Sequence, residues 1–434
     1  MLITANNPNR KSWIPVKSNS DFPIQNIPFG VFITKDDIIT VGTRIGDLAI
    51  DLGALHQLGY FHGIDLTDDI FLQDTLNDFI SDGRKTWRKV RNRIAELFDI
   101  NNQSLQQNEN HREKVLFEMK DVEMQLPVNI GDYTDFYSSK DHATNVETLL
   151  KGVDKSRSAN WLHMPVAYHG RSSSIVVSGT PIRRPKGQTV IENDSSPIFG
   201  ASTMLDFELE IAFITTDANK MGESINIKDA EENIFGLVLL NDWTARDIQK
   251  WEFEPLGPFL SKNFASTISP WIVTLDALEP FRVESQLQDP KPLKYLQQEG
   301  KKTIDINLQV GLKPDKGIET IISKSNFKYQ YWTMAQQLAH HTINGCNVRS
   351  GDLFGSGTVS GNTPDSYGSM IELTWAGTKP IILNDGSNRK FINDFDTIIM
   401  KGFCENEQVR IGFGECKGKM FPPKKELTQK KNVS

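Results

Sequence analysis

The chain has 434 residues, enough for a large core and for two domains or one domain with an appendage. It sets 48 Lys and Arg against 55 Asp and Glu, a net charge of -7, which argues against a general binder of nucleic acid or of anionic membranes. Its three cysteines, Cys346, Cys404 and Cys416, lack metal-type spacing and suit free thiols; with no signal-like start and no apolar run of membrane-spanning length, a cytoplasmic protein is expected.

From residue 13 to residue 55, short extended runs alternate with turns. Phe22-Pro23 and Ile27-Pro28 interrupt regular structure, and Gly30-Val31-Phe32-Ile33 resumes it. Runs at 38–41 and 48–52 flank turn residues Gly42 and Gly46-Asp47 and predict a hairpin within a small antiparallel β-domain. Residues 72–98 read as a helix, because Trp87, Val90, Ile94 and Leu97 recur at helical spacing. Its other side holds Arg84, Lys85, Arg88, Lys89, Arg91 and Arg93; on an acidic chain this reads as a solvated helix side rather than a nucleic-acid face. The polar stretch 101–110 reads as a loop or linker, and Leu126-Pro127 marks a division into residues 1–125 and 126–434. Beyond it, extended apolar runs dominate, at 174–177, 205–213, 234–240, 270–273, 304–311, 370–375 and 397–403. One helix is expected after Ser325, through Trp332, Ala335, Leu338 and Ala339 to a stop at Gly345. The lysine-rich tail after Pro423 is expected to fray.

The stretch 205–213 organises the rest. Leu205, Phe207, Leu209, Ile211 and Phe213 alternate with Asp206, Glu208, Glu210 and Ala212, the pattern of a half-buried strand. Three carboxylates then aim at one side, where their repulsion is costly unless water or a cation attends them. The alternation by itself favours the solvated face; other acids and a lone lysine in apolar settings favour the cation.

Four further clusters carry candidate chemistry. The loop-like span 131–145 holds Asp135, Tyr137 and His142, with His142 a candidate general base because imidazole titrates near neutral pH, although a lone histidine is more often structural. Asp242 ends an apolar run, placed either for a site on a rigid scaffold or to cap the next helix. Arg246 and Gln249, three apart, share a helix face and serve either an oxyanion or surface hydrogen bonds. Lys262 sits among apolar and small residues, either snorkelling or buried with partners such as Asp242. Glu372 falls within an apolar run read as a strand, where an unpaired carboxylate is expensive and a histidine partner would resolve the cost. His340-His341 read as partners of helix-terminal carbonyls, and His169 as a packed residue near a turn. No phosphate-binding loop, dinucleotide fingerprint or nucleophile elbow is present.

Several long polar runs together resemble the fumarylacetoacetate hydrolase family: Gly131-Asp132-Tyr133-Thr134-Asp135-Phe136-Tyr137-Ser138-Ser139, His142-Ala143-Thr144-Asn145, Asn241-Asp242-Trp243, Ala245-Arg246-Asp247-Ile248-Gln249-Lys250-Trp251-Glu252 and Pro255-Leu256-Gly257-Pro258-Phe259-Leu260. The likeness extends from Ile14-Pro15 to Gly412-Phe413-Gly414. It implies a mainly β (α+β) chain: a small N-terminal β-barrel-like domain with a helical extension, then a large mixed β-sandwich roll that is catalytic, assembled as a homodimer. It implies hydrolysis of a carbon–carbon bond in 4-fumarylacetoacetate to fumarate and acetoacetate, the last step of tyrosine and phenylalanine catabolism. By the same resemblance Asp135, Glu208, Glu210 and Asp242 hold Ca2+ or Mg2+, and Lys262 and Ser266 lie by a second, Mg2+-like site. His142 is the general base, oriented by Glu372. Arg246, Gln249 and Lys262 stabilise an oxyanion, and Tyr137, Lys151, Gln249, Phe253 and Thr358 contact substrate. Asp206 is not among the implied ligands. Three places depart from the family pattern: Phe253 stands for a tyrosine, Lys151 for an arginine, and Ala265 and Ser266 for glycine and threonine.

Rival readings are a sibling hydrolase or decarboxylase acting on another diketo acid such as an acylpyruvate, a structural calcium-binding protein, and, resting on the basic helix alone, a nucleic-acid binder.

Overall fold

The computed structural model describes residues 1–151, 158–190 and 196–424, apart from the side chains of residues 150 and 151. The expected lysine-rich tail falls almost wholly outside them. Most of the regular structure is β, as the sequence implies. The N-terminal part is a five-stranded antiparallel sheet around Phe29–Ile33, Ile39–Ile45 and Leu48–Asp51, with a tight hairpin at Gly46-Asp47 joining the last two. Gly46 has φ +58°, the left-handed conformation that such a turn requires.

The expected helix at 72–98 starts later and is broken in two, Asn77–Ser81 and Gly83–Leu97, with Gly83 at φ +80° opening the second. Its basic side is solvated only in part: Lys85 is exposed, but three of its arginines are engaged by the protein. Arg91 is buried and donates to the carbonyls of Asn26 and Gln25 and to Asn6. Arg84 and Arg88 reach across to Asp276 in the C-terminal part, at 3.1 and 2.6 Å. These guanidiniums hold the Asp276 carboxyl below its usual range despite its burial. Asp276→Ala leaves Arg88 without its counter-ion and Arg84 with Glu232 alone, 2.7 Å away. It should cost up to about 3 kcal/mol, discounted for partial exposure, read as a lower midpoint in chemical denaturation. The contribution is present above the carboxyl's ordinary pKa and is lost as pH falls through its depressed folded value. The stretch 101–110 is not a plain loop; two short helices, Gln103–Gln106 and Glu109–Val115, are capped by Asn102 and Asn108.

The larger part is built on an eight-stranded mixed sheet packed over a five-stranded one. Its central strands, Leu209–Thr215 and Ile234–Asp242, are buried at every position. Leu209, Ile211, Phe213, Leu237 and Leu239 face the five-stranded sheet, against Leu308, Val310 and Met400. The opposite parity, Ala212, Ile214, Val238 and Leu240, packs with the N-terminal core of Phe29, Val31 and Phe79. Sandwiched on both faces, these strands are not half-buried as the alternation suggests, and the solvated acidic face does not exist.

The run 205–213 is also interrupted: Leu205–Asp206 pairs with Thr244–Ala245, and the ladder restarts at Leu209. Three more expected strands differ, the run at 270–273 being strand only in Val273–Thr274. Residues 304–311 split into Thr303–Ile304 and Asn307–Lys313, and 370–375 is a single helical turn, Met370–Leu373. The expected long helix is only Met334–Thr342, opened by a Thr333 capping box, because Thr320–Asn326 is strand. No helix among the described residues is long and apolar enough to cross a membrane.

Candidate active site

Strand register brings the acids together. Tyr133–Phe136 runs parallel to Leu353–Gly355, with Asp135 opposite Gly355; Gly355 pairs with Ala212, and Glu210 with Leu240. Cross-strand partners point to one face, and so do residues two apart. Asp135, Glu210 and Asp242 therefore share a sheet face at one end of the central strands. Glu208, in the interruption, completes the group: the four acids offer oxygens that all lie within 4.8 Å of one another, every one buried. Asp206 does not join them, since the break turns it toward Arg246, 2.8 Å away.

Gly355 is a residue that sequence reasoning missed. A Cβ there would lie 2.7 Å from Asp135 Oδ1 and 2.9 Å from Glu210 Oε2, inside the space the two carboxylates occupy. Gly355→Ala should lower divalent-ion affinity about 10–100-fold, the usual range for disturbing a ligand's immediate support. Titration calorimetry giving wild-type affinity would show that the carboxylates do not act together.

Cations partly neutralise the acids. Lys262 Nζ donates to Glu208 Oε2 and Asp242 Oδ2, both at 2.6 Å. It is thus buried with partners rather than snorkelling. Arg246 Nη2 lies 2.8 Å from Glu208 Oε1, while its Nη1 donates to Gln249 Oε1 at 3.2 Å. Ser266 Oγ donates to Asp242 Oδ1 at 2.8 Å, as does the Tyr168 hydroxyl to Asp242 Oδ2 at 3.1 Å. Tyr168 was not singled out in the sequence, and no local signal there would have found it.

The charges are unevenly held. Burial pushes the Asp135 carboxyl well up, with the Asp242 charge adding to it, and Glu210 likewise with Asp135. Asp242 is raised by burial against the pull of Lys262. Burial opposes ionisation of Glu208 too, but Lys262 and Arg246 outweigh it and hold that carboxyl far below its ordinary value. Asp135 Oδ1 and Glu210 Oε1 are buried without a hydrogen-bond partner among the described residues. Orphaned carboxylate oxygens in a closed cluster suit a hard cation with oxygen ligands. A metal therefore fits the residues present.

Beside the acids lies a second pair. His142, in the first turn of the Lys140–Lys151 helix, meets Glu372 across 2.7 Å from Nδ1 to Oε2. The predicted histidine partner is present, although Glu372 sits on a helical turn. Asn145 Nδ2, Ser360 Oγ and Ser369 Oγ also donate to Glu372, at 2.9, 2.9 and 2.6 Å. Burial opposes ionisation of Glu372, but His142 and these donors outweigh it and lower its pKa. Asn145 lies one helical turn from His142, a closeness hidden by the loop-like reading of 131–145, which instead forms the Tyr133–Phe136 strand and the start of the Lys140–Lys151 helix; Ser360 and Ser369 carry no local signal.

Of the remaining expected residues, Tyr137 packs edge-on against His142 with ring centres 5.3 Å apart. Thr358 is buried with an Oγ1 that has no partner among the described residues. Phe253, 48% exposed, lies outside the buried cluster, and the Lys151 side chain is outside the described residues. Asp242 caps no helix: it ends its strand, and the Arg246–Glu252 helix starts from Ala245 without a side-chain cap. His341 bonds Thr134 Oγ1 at 3.1 Å and His340 bonds the Tyr295 hydroxyl at 3.0 Å, so neither serves the helix-terminal carbonyls expected of them. His169, next to last in the Ala167–Gly170 strand, does lie near a turn, the one at Ser172–Ser174, but it is exposed rather than packed.

Comparison with known proteins matches the profile of the fumarylacetoacetate (FAA) hydrolase C-terminal region over residues 132–419 and that of the fumarylacetoacetase N-terminal region over residues 25–127. A fumarylacetoacetase of Dictyostelium discoideum is 52% identical over 421 residues, spanning 96% of this chain and 99% of its own. The Homo sapiens fumarylacetoacetase is 50% identical over 413 residues, 95% of this chain and 99% of its own. Among solved structures, a fumarylacetoacetate hydrolase from psychrophilic Exiguobacterium antarcticum has a TM-score of 0.50 at 17% identity, over 91% of this chain and 99% of that one, a likeness of fold. With both profiles in sequence along it and relatives this similar over nearly their whole lengths, the chain belongs to the fumarylacetoacetate hydrolase family.

Proposed function

We propose that the protein hydrolyses the carbon–carbon bond of 4-fumarylacetoacetate to fumarate and acetoacetate, the last step of tyrosine and phenylalanine catabolism. The observation that carries the reading is the meeting of four buried acids with a His142–Glu372 pair in a chain about half identical to fumarylacetoacetases. Asp135, Glu208, Glu210 and Asp242 would hold the cation, Ca2+ or Mg2+, with Lys262 and Ser266 against Asp242 on the side of a second, Mg2+-like site. When bound, the cation supplies Lewis-acid polarisation of the diketone oxygens.

The chain's own residues do the rest. Ionised Glu372 accepts from His142 Nδ1, which leaves Nε2 unprotonated and free to take a proton from water as that water adds to the carbonyl. Arg246, Gln249 and Lys262 stand as donors toward the alkoxide that forms; Arg246 bonds Gln249 and shares Glu208 with Lys262, contacts that fix them in advance of its charge. As the carbon–carbon bond breaks, imidazolium returns the proton to the departing carbon. Tyr137, Thr358 and Gln249 are the proposed contacts to substrate. Phe253 and Lys151 join them as departures that alter affinity: one hydroxyl fewer, and a point charge where a guanidinium would bind a carboxylate at two points.

We also propose division near residue 125, a cytoplasmic location and a homodimer. The exposed apolar side chains of Trp251, Phe253, Leu256 and Phe259, next to the site, support self-association. Spectrophotometric decay of fumarylacetoacetate, with an acylpyruvate assayed in parallel, tests the function. Turnover of the acylpyruvate alone would favour the sibling activity.

A further inference from the structure

We propose that Asp206, the one acid of its stretch outside the metal cluster, is a positioning residue that locks Arg246 to the helical turn carrying Glu372. The inference rests on the catalytic reading above. Asp206 is fully buried. Its Oδ2 accepts from Arg246 Nε at 2.8 Å and from the Ile371 N–H at 3.0 Å, and its Oδ1 accepts from the Met370 N–H at 2.6 Å. One carboxylate therefore holds a guanidinium and two consecutive amides at the start of Met370–Leu373.

That turn would ordinarily be capped by its own N-terminal residue. Ser369 occupies that position, but its hydroxyl makes no cap bond and donates to Glu372 Oε2 instead, at 2.6 Å. Asp206, more than 160 positions away in sequence, takes over the cap and frees Ser369 to hold Glu372. The interruption after Asp206 is what makes this possible. Paired with Thr244 rather than continuing toward Glu208, Asp206 faces the Arg246 side. A continuous run of contacts results, from Glu208 through Arg246 and Asp206 to the Glu372 turn and His142. The oxyanion donor and the carboxylate orienting the base are thus set by one side chain.

Asp206→Asn keeps the shape but loses the charge facing Arg246 and one of the acceptors. If Asp206 only satisfies a buried guanidinium, the variant is less stable but its folded form turns over normally. If it positions the machinery, kcat falls about 10–100-fold with KM nearly unchanged, as expected for misplacement on the order of an ångström. Calorimetric affinity for Ca2+ or Mg2+ should stay within about threefold of wild type, and in a Glu372→Gln background the same change should add less than it does in the wild type, since only its effect through Arg246 is left. Normal kcat in the folded variant, a full multiplicative loss in the Glu372→Gln background, or a parallel collapse of ion affinity would each overturn the proposal. Asp206→Glu, which keeps the charge but shifts both oxygens by a methylene, carries the same readings if the asparagine variant does not fold. Wild-type turnover of fumarylacetoacetate, run alongside, separates failure of this inference from failure of the catalytic reading.

Discussion

His142→Ala is expected to lower kcat for fumarylacetoacetate by about 10²–10⁴-fold, the usual span for losing a general base, while affinity for a divalent cation stays near wild type. The geometry separates the two effects. His142 bonds Glu372, not any of the four clustered acids, so its removal leaves the ligand set intact. Glu372→Gln is the companion test. Glu372 accepts four hydrogen bonds, from His142, Asn145, Ser360 and Ser369, and a carboxylate can accept them all. An amide cannot: its NH2 would face at least one donor. Three of the four donors share Oε2, so the amide oxygen takes that place and the NH2 faces Asn145; the imidazolium formed as His142 takes the proton then has no negative charge facing it. The loss should therefore appear in kcat more than in KM. The structural calcium-binding reading makes the opposite forecast, because on that reading neither side chain affects any turnover. Wild-type rates in either variant would remove the proposed base from the mechanism.

How much of this site is legible in the sequence depends on what each signal measures. Alternation at 205–213 reports an extended segment, and that is what forms around the interruption. It does not report whether the polar parity meets water, because a strand covered by a second sheet on one side and by the N-terminal core on the other buries both parities. Nor can period two distinguish Asp206 from Glu208 and Glu210; a two-residue break decides it, and only pairing with Thr244–Ala245 reveals the break. The run at 370–375 is misread as strand for a related reason. Met370, Ile371 and Glu372 are all buried, and a short segment apolar on every side carries no period.

Contacts within one helix are easier. Arg246 with Gln249 follows from a spacing of three. The basic helix shows the reverse limit: its charges were visible, but Arg91 is buried under carbonyls near residue 25 and Arg84 and Arg88 under Asp276, partners that no local pattern could supply. Agreement of the site with expectation therefore rests on the long polar runs that mark the family. The supporting residues Gly355, Tyr168, Ser360 and Ser369 come from tertiary structure alone.

A divalent cation is expected to raise the unfolding temperature, by an amount that grows as pH rises from about 5 to 8. Burial, and then the charge of neighbouring acids, raises the carboxyl pKa of Asp135 and Glu210; burial also raises Asp242 against Lys262. Without an ion, the folded chain retains protons that the unfolded chain releases above the ordinary carboxylate pKa of about 4. Fewer protons on the unfolded state mean that stability falls as pH climbs from there through the raised native values. Glu208 runs the other way, held ionised by Lys262 and Arg246 against its burial, and its contribution is complete over the whole window. An ion takes the place of the retained protons, so its benefit is largest where those protons are hardest to keep. At a concentration a hundred times Kd it adds about 2.7 kcal/mol. Asp135→Asn removes one charge from the cluster; it should abolish most of the ion's effect while leaving the ion-free protein as stable as wild type or more so, since a repulsive partner of Glu210 is gone. Thermal unfolding in chelator, Ca2+ and Mg2+ at both ends of the pH range measures all of this. Equal shifts at pH 5 and pH 8, or an undiminished shift in Asp135→Asn, would mean that the ion binds somewhere other than among these four acids.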